Sequence, residues 1–183
     1  MSAGRLFLCG VLLIASLVAS GIAQAACPDW LNHEFHELRS SDTFNICESY
    51  GDKPILVVNT ASFCGFSGQF RGLELLHKTY SGQGLAVVGV PSNDFRQEAS
   101  TEEKTAEVCF VDYGVTFKMT SPQSVRGDTA HPLFRKLAEL SGSEPQWNFN
   151  KYLIDTASGR VWHFPSHVRP GDAAMTEKIE SVL

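Results

Sequence analysis

Two apolar runs with a helical stretch between them set the strongest limit on how this chain folds. The runs are Ile55-Leu56-Val57-Val58-Asn59-Thr60 and Leu85-Ala86-Val87-Val88-Gly89-Val90. Both are short and rich in β-branched residues, the signature of buried strands. Between them Phe70, Leu73, Leu75, Leu76 and Tyr80 recur at roughly helical spacing, which predicts a helix over 69–81 closed by Gly82 and Gly84. A strand, a helix and a second buried strand make a crossover unit with parallel strands.

Further elements follow in order. Pro91-Ser92-Asn93 stops the second strand. Ser100-Thr101-Glu102-Glu103 has the composition of a helix start, and that helix is predicted to run through Val108 and Cys109 to about Tyr113. Residues 131–140 form another predicted helix, closed by Gly142. Tyr152–Asp155 and Val161–Phe164 read as a hairpin around Thr156-Ala157-Ser158-Gly159, and a last helix is predicted over 173–182. A short, weak hairpin is expected within 38–47. The order β-α-β, α, β-hairpin, α predicts an α/β fold: a thioredoxin-like sandwich with a central mixed β-sheet flanked by helices.

The N-terminus stands apart. Arg5, a nearly continuous apolar run over 6–18 and the small-x-small sequence Ala23-Gln24-Ala25 read as a secretory signal peptide over 1–25. Residues 26–183 are then one domain, long enough for a core of its own. Ala25-Ala26-Cys27 resembles the end of a lipobox, but Gln24 stands where such a box has a large aliphatic residue, so lipid anchoring through Cys27 is the weaker reading. The expected destination is outside the cytoplasm, in a bacterial periplasm. A formal net charge of -5 argues against nucleic acid as a partner.

Export changes how the cysteines are read. Cys27, Cys47, Cys64 and Cys109 remain after cleavage, and in an oxidising compartment four thiols invite disulfides. Three pairings are open, and sequence alone does not choose among them. Cys27 and Cys47 both lie in the poorly patterned N-terminal segment, so they are expected to staple it and leave Cys64 and Cys109 for chemistry. Cys64 sits between the first buried strand and the first strong helix. There, backbone N–H groups and the positive end of the helix dipole suit a reactive sulfur, although a buried structural thiol explains a lone cysteine equally well.

Three segments resemble motifs of the glutathione peroxidase family, in the family's order. They are Asn59-Thr60-Ala61-Ser62-Phe63-Cys64-Gly65-Phe66, the loop from Pro91 to Glu98, and Trp147-Asn148-Phe149. The resemblance spans about residues 28–183 and implies a thiol-dependent peroxidase of cysteine type. By residue, it implies Cys64 as the sulfur that attacks a hydroperoxide, with Gln97, Trp147 and Asn148 as its polar partners. Cys109 falls where many members carry a resolving cysteine. The loop departs from the usual pattern: Arg96 stands where glycine is common, and Ala99 replaces a usual proline. The implied partners are a hydroperoxide substrate and a reductant, either glutathione or a thioredoxin-like protein. No cofactor and no metal are called for. The short stretch over 141–146 suggests a monomer.

Other classes share some of these residues. Cys64-Gly65-Phe66-Ser67 also matches the tetrapeptide of monothiol glutaredoxins, but that family does not account for Gln97 or Trp147-Asn148. A thiol–disulfide oxidoreductase would show Cys-x-x-Cys, and Ser67 stands where its second cysteine belongs. A non-enzymatic peroxide sensor or disulfide relay shares every site residue with the peroxidase reading, and turnover alone separates the two.

Overall fold

The computed structural model describes residues 27–183, so the signal peptide expected over 1–25 lies outside the described residues. The elements are β1 (Glu34–His36), β2 (Thr43–Asn45), α1 (Ile46–Tyr50), β3 (Ile55–Thr60), α2 (Gln69–Tyr80), β4 (Ala86–Pro91), α3 (Glu102–Ala106), β5 (Lys118–Met119), α4 (Pro132–Ser141), β6 (Lys151–Asp155), β7 (Arg160–Phe164) and α5 (Ala173–Glu180). The main sheet has the order β5-β4-β3-β6-β7. β4 runs parallel to both β3 and β5, and β6 runs antiparallel to both β3 and β7. This is the mixed sheet that the element order predicts.

Every residue of β3 and β4 is buried, because helices cover both faces of the sheet. The strands divide their side chains by alternation. Leu56, Val58, Val87 and Leu153 pack with Phe70, Leu73 and Leu76 of α2 and with Met175 and Ile179 of α5. Ile55, Val57, Val88 and Ile154 point the other way, onto Leu133, Phe134 and Leu137 of α4 and onto Phe35 and Phe44 of the β1–β2 ribbon. Cys64 and Cys109 both belong to the first of these two layers.

Three features differ from the sequence expectation. The N-terminal hairpin pairs Glu34 with Asn45, earlier than the 38–47 window, and α1 takes up the segment around Cys47. β5, only two residues long, has no pattern of its own and is a strand because β4 offers it an edge. The helix begun at Glu102 is α-helical only to Ala106 and continues as a π-helix over Glu107–Asp112. Cys27 and Cys47 are joined by a disulfide with Cα atoms 5.6 Å apart.

Candidate active site

β3 ends at Thr60, and the chain turns before α2 begins at Gln69. Cys64 lies in this turn. Its carbonyl accepts from the Ser67 N–H at 2.9 Å, and its Sγ accepts from the Phe66 N–H at 3.4 Å. The sulfur is thus met by a backbone donor, although α2 itself starts five residues later. Cys64 is only 4% exposed, while Phe63 before it is 59% exposed.

The loop after β4 reaches this turn. The Phe63 N–H donates to the Gln97 carbonyl at 2.9 Å. Asn148 Nδ2 donates to Gln97 Oε1 at 3.1 Å, which joins the third segment to the second. Asn59, on β3, holds the third segment to the first. Its Nδ2 donates to the Trp147 carbonyl at 3.0 Å, and its Oδ1 accepts from the Asn150 N–H at 3.0 Å. Asn148 is fully buried, with its Oδ1 unpartnered. A buried polar atom without a protein partner has room for one more donor, from a water or a ligand.

Two backbone positions show how this arrangement is held. Arg96 has φ 58° and Phe149 has φ 61°, both left-handed. They flank Gln97 and Asn148 directly. Non-glycine residues in this region cost about 1 kcal/mol or more each and persist where the surroundings over-determine them. The glycine common at position 96 in the resembling family therefore has a physical reason, and Arg96 here adopts the same conformation without glycine's freedom.

Trp147 is not a core residue. It is 40% exposed, and its ring packs against Phe95 at 5.4 Å between centroids. Cys109 is buried on the π-helical segment and unbonded to Cys64. Burial, together with the negative charge of Glu98, pushes its thiol up to about 12. A cleft of about 780 Å³, lined in part by Gly65, Phe66, Gln69, His167 and Arg169, opens beside the Cys64 turn. Among the described residues, no group of three or more His, Cys, Asp or Glu side chains is arranged to hold a metal ion.

The family model for glutathione peroxidase matches residues 33–138. A Lactococcus lactis subsp. cremoris protein named glutathione peroxidase is 38% identical over 157 residues, covering 82% of this chain and 98% of that protein. A glutathione peroxidase homolog BsaA of Halalkalibacterium halodurans is 36% identical over 156 residues, with the same coverage of each chain.

This chain belongs to the glutathione peroxidase family.

As a member of the glutathione peroxidase family it is a thiol peroxidase, an oxidoreductase that uses a peroxide and a thiol reductant. The solved structure of Trgpx in apo form is similar to it, with a TM-score of 0.64 and 26% identity over 84% of this chain and 94% of that one. The structure of MTB dsbF, at 16% identity and a TM-score of 0.61, covers 85% of this chain and 98% of its own, and shares the thioredoxin-like fold alone. Several residues that tie the three segments together were given no individual role by the sequence reading. Asn59, Asn150, Ser166 and Glu98 carry their hydrogen bonds. Lys151 is fully buried, its Nζ donating to the Val168 carbonyl at 2.5 Å, and burial pushes it down to about 7. A buried polar side chain at a strand edge looks like any other polar residue in sequence. Only Asn59, inside an apolar run, carried a visible anomaly.

Proposed function

We propose that Cys64 attacks the hydroperoxide and that Gln97, Trp147 and Asn148 stabilise the charge that develops. The observation that carries this reading is the chain of hydrogen bonds from Phe63 through the Gln97 carbonyl and from the Gln97 side chain to Asn148. It supports the reading by joining the Cys64 turn to the Gln97 loop and to Asn148, segments far apart in sequence. Cys64, attacking as thiolate, takes one peroxide oxygen and becomes a sulfenic acid, while the other oxygen leaves as alkoxide or hydroxide and is protonated. Gln97, Asn148 and the Trp147 indole carry N–H donors that do not titrate near neutrality, so their help holds over a broad pH range.

In this reading Cys109 then condenses with the sulfenic acid, and a thiol reductant, either a thioredoxin-like dithiol protein or glutathione, restores both thiols. Cys109 favours the dithiol. Disulfide geometry requires Cα atoms within about 7 Å, so the buried Cys109 segment has to open locally first. The enzyme acts after export to the periplasm, as a monomer. The apolar run over 6–18 and the Cys27–Cys47 disulfide support export, since such bonds persist in oxidising compartments.

The test is to treat pre-reduced mature protein with one equivalent of hydrogen peroxide and map its thiols by mass spectrometry, beside a Cys64→Ser control. A Cys64–Cys109 disulfide that the control lacks is the expected result. Unmodified Cys64 would sink the reading.

A further inference from the structure

One side chain outside the set already assigned ties the elements of the two free cysteines together. Glu98 follows Gln97 in the loop after β4. Its Oε1 accepts from the Ser62 hydroxyl, from the Ala99 N–H at 2.6 Å and from the Thr105 hydroxyl at 2.9 Å. Its Oε2 is buried and has no partner. Ser62 lies two residues before Cys64. Thr105 lies four residues before Cys109, on the same continuous helical segment.

The segment that carries Cys109 is buried on its inner side, through Val108 and Cys109, and open on its outer side. It is π-helical over Glu107–Asp112, a rare conformation that is found frequently at functional sites. Phe110 is 40% exposed and Val111 is 75% exposed, so little apolar burial fastens its outer side. Segments with few buried apolar contacts open locally at low cost. The bond from Thr105 to Glu98 is one of two side-chain links between this segment and the Cys64 turn; the other is the 2.9 Å contact between the Tyr113 and Ser67 hydroxyls at its far end. The same carboxylate joins burial in pushing the Cys109 thiol up.

We propose that Glu98 is a positioning residue for the second step of the reaction: by holding Ser62 and Thr105 on one oxygen, it sets the rate at which Cys109 leaves its buried place and condenses with oxidised Cys64. The inference rests on the reading of Cys64 and Cys109 as attacking and resolving thiols. In that step the Cys109 sulfur attacks the Cys64 sulfur, the S–O bond of the sulfenic acid breaks, and the departing hydroxide leaves as water with the proton that Cys109 gave up. The clamp delays this condensation in two ways. It holds the helix docked, and it keeps a negative charge near the thiol that must ionise.

The test follows the loss of Cys64 sulfenic acid after a burst of one equivalent of hydrogen peroxide, with quenching by a thiol-blocking reagent and mass spectrometry. This decay is first order and does not depend on how fast the sulfenic acid formed. Thr105→Val removes the fastening hydroxyl and keeps the charge; it is expected to speed disulfide formation at least threefold with the wild-type pH profile. Glu98→Gln removes the charge and keeps an amide oxygen for the Thr105 hydroxyl; it is expected to condense faster than wild type at neutral pH, with its pH profile displaced to lower pH. Unchanged or slower condensation in both variants overturns the proposal. So does acceleration in both without displacement in Glu98→Gln, because a merely loosened helix would do that much. Urea titration checks folding, and should Glu98→Gln not fold, unchanged condensation in Thr105→Val overturns the proposal by itself. A wild-type protein whose sulfenic acid persists with Cys109 free sinks the two-thiol reading, and the role of Glu98 with it. That failure is read from wild type alone and so stands apart from the others.

Discussion

Asn148 and Arg96 show what single residues contribute at this site. Asn148 is fully buried, gives one amide hydrogen to Gln97 and has a free Oδ1. In Asn148→Ala, Gln97 loses its partner and the site loses a donor. The expected outcome is a fall of about 10²-fold in the rate of Cys64 oxidation, the scale seen when one transition-state donor is removed, with a stability cost of about 1 kcal/mol. Stopped-flow oxidation and urea titration read the two separately, and a rate within threefold of wild type would remove Asn148 from the mechanism. At Arg96 the φ of 58° costs energy that glycine would not incur. Arg96→Gly is expected to raise stability by about 0.5–1 kcal/mol, the relief of the left-handed backbone less the entropy glycine loses on folding. A lower midpoint in urea would show that the arginine side chain contributes more than its backbone costs.

At the scale of elements, the helix behind Cys109 and the start of α4 are the informative cases. Acidic residues and Thr101 start α3 as the sequence leads one to expect, with the Thr101 hydroxyl accepting from the Lys104 N–H at 3.3 Å. The change to π geometry at Glu107 carries no sequence signal, because a segment of six residues is too short to display a period of its own. α4 begins with His131, whose Nδ1 accepts from the Leu133 N–H at 3.2 Å, ahead of Pro132 in the first turn. Burial, then the nearby His33 and Arg135, lower His131 to about 4 from 6.5. Between these values the unfolded chain binds more protons than the fold, so stability falls as pH drops from about 6.5 towards 4. Protonation also destroys the acceptor that caps α4. His131→Asn keeps a capping oxygen and is expected to flatten the slope of unfolding free energy against pH in this window. His33 and His163, also lowered mainly by burial, account for slope that remains. An unaltered slope in the variant would mean that His131 titrates normally.

For the whole molecule, the sheet separates stability from chemistry. Cys64 and Cys109 belong to the layer beneath α2 and α5, while Cys27 and Cys47 pack against the opposite layer. The disulfide spans 20 residues. A loop of that size is worth about 3 kcal/mol through the entropy it removes from the unfolded chain. The double variant Cys27→Ser/Cys47→Ser is expected to lose about that much stability in urea while keeping its rate of peroxide reduction. A large loss of rate in folded double variant would show that the N-terminal ribbon bears on the site across the sheet.

The crossover unit was legible because β3 and β4 are buried on both faces, and burial writes itself into sequence as apolar, β-branched runs. Cys64 at the end of β3 and the order of the three motifs followed from that pattern and from resemblance. The tertiary structure alone decided how the site is wired. Asn148 meets Gln97 across 51 positions of sequence, and Glu98 meets both Ser62 and Thr105. It also chose one cysteine pairing from three, by bringing the Cα atoms of Cys27 and Cys47 to 5.6 Å. Periodicity reports which side of an element is dry. It does not report which polar groups face each other once the elements pack, because hydrogen-bond partners are set by distances that only the closed fold creates.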